Sequence, residues 1–120
     1  MSCLFDSLSV HLHAPSCEIR RAICDYLDSN RTILEGVDTR SLIEQEHSDY
    51  VSWMRRDSTW GGAIEIKAAC DIWNVVIRVH NVRDGSVVAM QFVPSQMPAT
   101  MVDALRTIDL QWNGGHYYVA

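Results

Sequence analysis

One cysteine stands where its thiol is most easily activated. The chain has four cysteines: Cys3, Cys17, Cys24 and Cys70. Apolar residues follow Cys3 with helical spacing, at Leu4, Phe5, Leu8 and Leu12, so a helix is predicted to begin at Cys3. A cysteine in the first turn of a helix feels the positive end of the helix dipole, which favours the thiolate. Cys3 is therefore the candidate nucleophile, and the other three are predicted to be structural.

A cysteine nucleophile needs an imidazole that holds the thiolate as an ion pair and later protonates the leaving amine. Five histidines are available: His11, His13, His47, His80 and His116. His116 follows Asn113-Gly114-Gly115 and opens the last predicted strand, where a scaffold can hold a side chain beside an adaptable loop. His116 is thus the candidate general base. Asn113 is a candidate to orient its imidazole, although a turn asparagine needs no catalytic role.

Composition narrows the class of protein. With 120 residues and 48% hydrophobic content, residues 1–120 are predicted to form a single domain around one core, and a monomer is expected. A net charge of -5 argues against nucleic acid as a partner. We expect neither membrane binding nor secretion, because no apolar run approaches the roughly 20 residues that span a bilayer and no basic segment leads into one. Irregularly spaced cysteines favour reduced thiols in the cytoplasm, or in a host cytosol for a viral or bacterial effector.

Helices are predicted to precede strands. One helix is expected to begin at Cys3, a second after Pro15 with Ser16 as N-cap, and a third over 50–54. A fourth is expected after Trp60-Gly61-Gly62, with Ile64, Ala68 and Ile72 on one face. Strands are expected over 75–79, 87–93, 108–112 and 117–119, the first two forming a hairpin through Asp84-Gly85. Residues 31–49 are polar and carry no predicted chemistry. This order predicts an α+β fold in which helices pack on a small, mostly antiparallel sheet.

Three segments resemble the OTU (ovarian tumour) family of cysteine proteases. Cys3-Leu4-Phe5-Asp6-Ser7-Leu8-Ser9 is similar to the nucleophile helix of that family. Thr59-Trp60-Gly61-Gly62-Ala63-Ile64-Glu65-Ile66 is similar to its Trp-Gly-Gly segment, and 108–117, ending in His116-Tyr117, to the strands that deliver the histidine. The resemblance implies a papain-like fold, no cofactor, and hydrolysis of the isopeptide bond after the C-terminus of ubiquitin or a ubiquitin-like protein, with Cys3 as nucleophile and His116 as general base.

Two positions depart from the family pattern. Members usually have an Asp three residues before the cysteine, in a loop that helps to form the oxyanion hole, but only Met1 and Ser2 precede Cys3. Many also have Asp or Asn two residues after the histidine, where this chain has Tyr118. No third catalytic residue is assigned, and slow turnover is expected. Two alternatives stay open: an OTU-like module that binds ubiquitin or another protein without turnover, and a protease that processes a polyprotein.

The remaining conspicuous residues have simpler interpretations. Trp60 is predicted to anchor the core or a loop rather than to form a substrate platform. Glu65 is predicted to complement the dipole of its helix. His11, His13 and Cys17 do not have the spacing of a closed zinc site, so no metal is predicted.

Overall fold

Five helices form the first part of the chain in the computed structural model, which describes residues 3–29, 39–81, 88–95, 99–102, 104–112 and 117–119. They are α1 (Cys3–Leu12), α2 (Ser16–Asp28), α3 (Thr39–Glu46), α4 (Tyr50–Met54) and α5 (Ala63–Trp73). The predicted starts of α1 and α4 are confirmed. None of the helices in these ranges is long and apolar enough to cross a bilayer.

The junction between α1 and α2 turns at two residues with restricted backbones. His13 has a φ of 55° and donates its N–H to the Ser9 carbonyl at 3.0 Å, which ends α1. Pro15 then occupies the N-cap position of α2 with a φ of -60°, and Ser16 is the first helical residue. The prediction that Ser16 is the N-cap was therefore wrong by one residue.

Four strands form one mixed sheet. They are β1 (Val75–Asn81), β2 (Val88–Phe92), β3 (Arg106–Trp112) and β4 (Tyr117–Val119), in the order β2-β1-β3-β4. β2 is antiparallel to β1, as the hairpin prediction requires, and β4 is antiparallel to β3. The central pair, β1 and β3, is parallel because the chain crosses over through β2 and the short helix α6 (Ala99–Val102). The α+β prediction is confirmed, and Asp84-Gly85 lies outside the described residues.

The core lies between the helices and one face of the sheet. Ile77 on β1 and Ile108 and Leu110 on β3 are fully buried, and α5 contacts both β1 and β2. The buried side of α5 carries Ile66, Ala68, Ala69 and Cys70, together with Glu65. The predicted face of this helix is thus rotated from the observed one, since Ile64 and Ile72 are only partly buried.

Candidate active site

The helix that begins at Cys3 packs against the strand that follows His116. α1 contacts β4, the edge strand of the sheet, and the Ser7 hydroxyl donates a hydrogen bond to the Tyr117 carbonyl at 3.3 Å. The helix start at Cys3 is as predicted. The Cys3 side chain, Asn113 and His116 lie outside what the structure describes, so their approach to one another stays a prediction.

The other three cysteines differ sharply in accessibility. Cys24 and Cys70 are fully buried, and burial raises the pKa of the Cys24 thiol to about 11 and that of Cys70 to about 12. Both are protonated and inaccessible at neutral pH, which confirms their structural role. Cys17, the second residue of α2, is exposed, so the prediction that it is a small buried residue was wrong.

A buried arginine holds the segment between α4 and α5. Arg20 is 4% exposed, and its guanidinium donates to the carbonyls of Met54 at 2.6 Å and Thr59 at 2.9 Å. Its carbon Cζ also lies 4.1 Å from the centre of the Phe5 ring on α1. Met54 is the last residue of α4, so Arg20 satisfies a carbonyl that a helix end would otherwise leave unpaired. The arginine thereby connects α2, α1 and the turn that precedes Trp60-Gly61-Gly62.

Gly61 lies directly against the first turn of α1. A Cβ placed on Gly61 would be 2.8 Å from Cδ2 of Leu4 and 3.0 Å from the Phe5 ring. Both of those side chains are fully packed, with at most 1% exposure. The absence of a side chain at Gly61 therefore allows the glycine backbone to reach the start of α1, beside Cys3.

An apolar pocket of about 280 Å³ adjoins the same region. Its walls come from α5 and all four strands, and include Ile66, Val79, Met90, Phe92, Trp112 and Tyr117. Trp112 and Tyr117 are the described residues on either side of 113–116 in the sequence, so the pocket is lined by both strand ends that flank His116 along the chain. Trp60, which precedes Gly61, is 52% exposed, so it does not anchor the core; the other predicted role, anchoring a loop, stays a prediction.

Comparison with known proteins decides the family. The sequence model of the family described as OTU-like cysteine protease matches residues 2–117. This chain belongs to the OTU family. A solved OTU domain in complex with ubiquitin superimposes with a TM-score of 0.71 at 23% identity, covering 98% of this chain and 62% of that one. The viral OTU protease of Dera Ghazi Khan virus gives 0.64 at 21% identity, covering 98% and 74% of the two chains.

A curated relative adds sequence similarity outside viruses. Ubiquitin thioesterase OTU1 of Mus musculus is 37% identical over 71 residues, which are 54% of this OTU chain and 20% of the mouse protein. The OTU chain therefore aligns with about a fifth of the length of that relative. The predicted family and papain-like fold are confirmed.

Glu65 closes the start of α5 in this OTU domain. The residue is 1% exposed, and its carboxylate accepts hydrogen bonds from the Gly62 N–H at 2.7 Å and the Tyr50 hydroxyl at 2.5 Å. Burial raises the pKa of Glu65, although the bonds from Tyr50 and Gly62 oppose the shift. Glu65 therefore does more than complement the helix dipole: it fixes Gly62 beside Gly61 and joins α5 to α4.

Replacing Glu65 by glutamine is expected to change how stability depends on pH. A carboxyl with a raised pKa binds its proton more tightly in the folded than in the unfolded protein. The free energy of unfolding therefore falls as the pH rises above 4.5, the usual pKa of a glutamate side chain. Glutamine can still accept from Gly62 and does not titrate. The Glu65→Gln protein should thus gain stability relative to the unmodified chain as pH rises, by at most about 1.4 kcal/mol per pH unit.

Urea unfolding from pH 4 to 8 measures this difference. Glu18→Gln is the matched control, because Glu18 is the third residue of α2 as Glu65 is of α5, but is exposed. Unfolding free energies of the Glu65→Gln and unmodified proteins that run parallel across this pH range would contradict the prediction.

Proposed function

We propose that this chain is a cysteine-type deubiquitinase that hydrolyses the isopeptide bond after the C-terminus of ubiquitin or a ubiquitin-like protein. Cys3 is the nucleophile and His116 the general base. The hydrogen bond from Ser7 to the Tyr117 carbonyl is the main support for these two roles, because it joins the helix that begins at Cys3 to the strand that follows His116.

Helix geometry relates this contact to the reacting groups. Ser7 is four residues after Cys3, so the two positions lie on the same side of α1, about 6 Å apart along its axis. Tyr117 directly follows His116 in the sequence. Cys3 is therefore one helical turn from the hydrogen-bond donor Ser7, and His116 is one residue from the acceptor Tyr117. Ser7 and Tyr117 are more than a hundred positions apart in the chain.

The proposed reaction uses groups at the start of α1. The Cys3 thiolate attacks the scissile carbonyl carbon, and the electron pair of the C=O bond moves to its oxygen, which accepts from backbone N–H groups at the helix N-terminus. When the intermediate collapses, the C–N bond breaks and the His116 imidazolium gives its proton to the departing lysine amine. Water, deprotonated by His116, then attacks the thioester and releases a carboxylate and the thiolate.

The apolar pocket suits the substrate class. An extended C-terminal tail that enters beside Gly61 would place an apolar side chain near Phe92 and Trp112, where burial contributes about 25 cal/mol per Å² of apolar surface. Ubiquitin is the proposed modifier, since the mouse relative is named a ubiquitin thioesterase and a structural neighbour is bound to ubiquitin.

Covalent labelling by ubiquitin with a C-terminal electrophile tests the proposal. The unmodified chain should be labelled, and Cys3→Ala should abolish labelling, because Cys3 is the proposed nucleophile and starts the helix that packs against β4, the strand after His116. Cys17→Ala is the matched control, since the Cys17 thiol is exposed, whereas those of Cys24 and Cys70 are buried. Cys24→Ala and Cys70→Ala should also retain labelling.

Two results would contradict the proposal in different ways. Labelling that persists in Cys3→Ala and disappears in another cysteine variant would overturn the nucleophile. Binding of ubiquitin without any covalent product would instead identify a non-catalytic OTU module.

A further inference from the structure

We propose that Ser7 is a positioning residue for this reaction: its hydrogen bond to the Tyr117 carbonyl sets the distance between the start of α1 and the strand after His116. The inference rests on the proposed function. It assigns to Ser7 no contact with substrate.

Burial makes the Ser7 hydroxyl dependent on a hydrogen-bond partner within the protein. Ser7 is 5% exposed and is flanked on α1 by Leu4 and Leu8, which are at most 1% exposed. A buried hydroxyl without a hydrogen bond raises the free energy of the folded state, so burial favours the arrangement in which Ser7 donates to the Tyr117 carbonyl. The apolar neighbours fix the rotation of the helix, and the hydroxyl then fixes its approach to β4.

A second contact fastens the other end of α1 to the sheet. The Arg106 guanidinium at the start of β3 donates to the His11 carbonyl in the last turn of α1. That bond is exposed and lies two turns from Cys3, whereas Ser7 is one turn away. Without the Ser7 hydroxyl, the distal attachment and the packing of Leu4 and Phe5 against Gly61 remain, but the first turn of α1 loses its hydrogen bond to β4.

Ser9 provides a matched comparison within the same helix. Its hydroxyl also donates to a carbonyl, that of Ala14 at 2.5 Å, but this bond closes the turn after α1 and does not reach β4. Ser7→Ala and Ser9→Ala therefore each remove one hydroxyl and one bond to a backbone oxygen. Only Ser7→Ala removes a hydrogen bond between α1, which begins at Cys3, and β4, which follows His116 in the sequence.

Steady-state kinetics and thiol alkylation test the proposal. With ubiquitin carrying a C-terminal fluorogenic amide, Ser7→Ala should lower kcat about tenfold and leave KM within about twofold, because small misplacements of reacting groups slow chemistry more than binding. In a Cys17→Ala background, alkylation of Cys3 by iodoacetamide should require a higher pH in Ser7→Ala than in Ser9→Ala, since a looser imidazolium holds the thiolate less well.

Rescue separates positioning from packing. Ser7→Thr keeps the hydroxyl and should retain the kcat and the alkylation profile of the unmodified chain. A loss in Ser7→Thr equal to that in Ser7→Ala would assign the effect to packing and overturn the inference, as would identical kcat and alkylation profiles in Ser7→Ala and Ser9→Ala. Probe labelling that survives Cys3→Ala would instead refute the proposed function itself.

Discussion

Replacing His116 by alanine is expected to lower kcat/KM for a ubiquitin C-terminal amide by about 100- to 10,000-fold, the usual contribution of a positioned acid and base. The imidazole acts twice in the proposed reaction, since it stabilises the thiolate before attack and protonates the amine as it leaves. Its removal should therefore impair both the reactivity of Cys3 and the departure of the amine. Initial rates at several substrate concentrations measure the combined loss.

Thiol alkylation separates these two roles. Without the imidazolium, the Cys3 thiol should ionise closer to the pH of an ordinary cysteine, around 8.5, so its alkylation by iodoacetamide should shift to higher pH. Raising the pH of the assay should then restore nucleophilicity but not protonation of the leaving amine. A thioester substrate, whose leaving thiolate needs no proton, should consequently be less affected by His116→Ala than the amide.

His13→Asn is the control for loss of a histidine near α1. His13 is exposed and has a φ of 55°, a backbone conformation that asparagine tolerates. This variant should keep the kinetic constants of the unmodified chain. Unchanged amide hydrolysis in His116→Ala would show that another group is the general base.

Elements with strong local signals could be predicted from the sequence. α1 and α4 begin where predicted, because apolar residues with helical spacing follow Cys3 and the short apolar group of α4 starts at Tyr50. The parallel pairing of β1 with β3 was not predicted, since it depends on a crossover that includes α6, a helix of four residues with no periodicity to detect. Strand order is a tertiary property that local patterns do not contain.

The burial of particular polar residues was the main feature that could not be predicted from the sequence. Arg20 and Glu65 are charged residue types that are mostly exposed in proteins, yet here they are 4% and 1% exposed. Their partners include backbone groups at Met54, Thr59 and Gly62 and the Tyr50 hydroxyl, which come together only once the chain has folded. For the same reason Ser7 was noticed only as part of the nucleophile segment, and its bond to Tyr117 was not foreseen.

The candidate site itself was predicted from motif order. The structure confirms that Cys3 starts a helix, and it shows that this helix packs on β4, which follows His116 in the sequence. The roles of Cys3, His116 and Asn113 remain predictions. Trp60 was predicted to anchor the core or a loop, and its 52% exposure excludes the core.

Replacing Arg20 by methionine is expected to lower the free energy of unfolding by about 2 to 4 kcal/mol. Methionine fills much of the same volume but leaves the carbonyls of Met54 and Thr59 without their donor, and a hydrogen bond to a charged group contributes about 1.5 to 3 kcal/mol. The guanidinium also loses its contact with the Phe5 ring, which contributes roughly 0.5 to 2 kcal/mol. Burial desolvates the guanidinium and lowers the pKa of Arg20. Replacing the charged group removes this desolvation cost, which offsets part of the loss in stability.

The adjacent arginine is the matched control for this substitution. Arg21, the next residue of α2, is exposed, so Arg21→Met should change the free energy of unfolding by no more than about 0.5 kcal/mol. Arg20→Lys separates charge from geometry: it keeps a cation, but an ammonium lacks the planar fork that donates to carbonyls on both sides. It should recover only part of the stability lost in Arg20→Met.

Thermal and urea unfolding of the three variants measure these differences. Because a domain of this size typically has a total stability of about 5 to 15 kcal/mol, the Arg20→Met loss should lower Tm by roughly 10 °C or more. Since Arg20 holds the turn that places Gly61 against α1, labelling by a ubiquitin electrophile should also slow in Arg20→Met well below its Tm. Equal unfolding midpoints for Arg20→Met and Arg21→Met would show that the buried guanidinium contributes no net stability, and unchanged labelling would show that the Gly61 segment keeps its place without it.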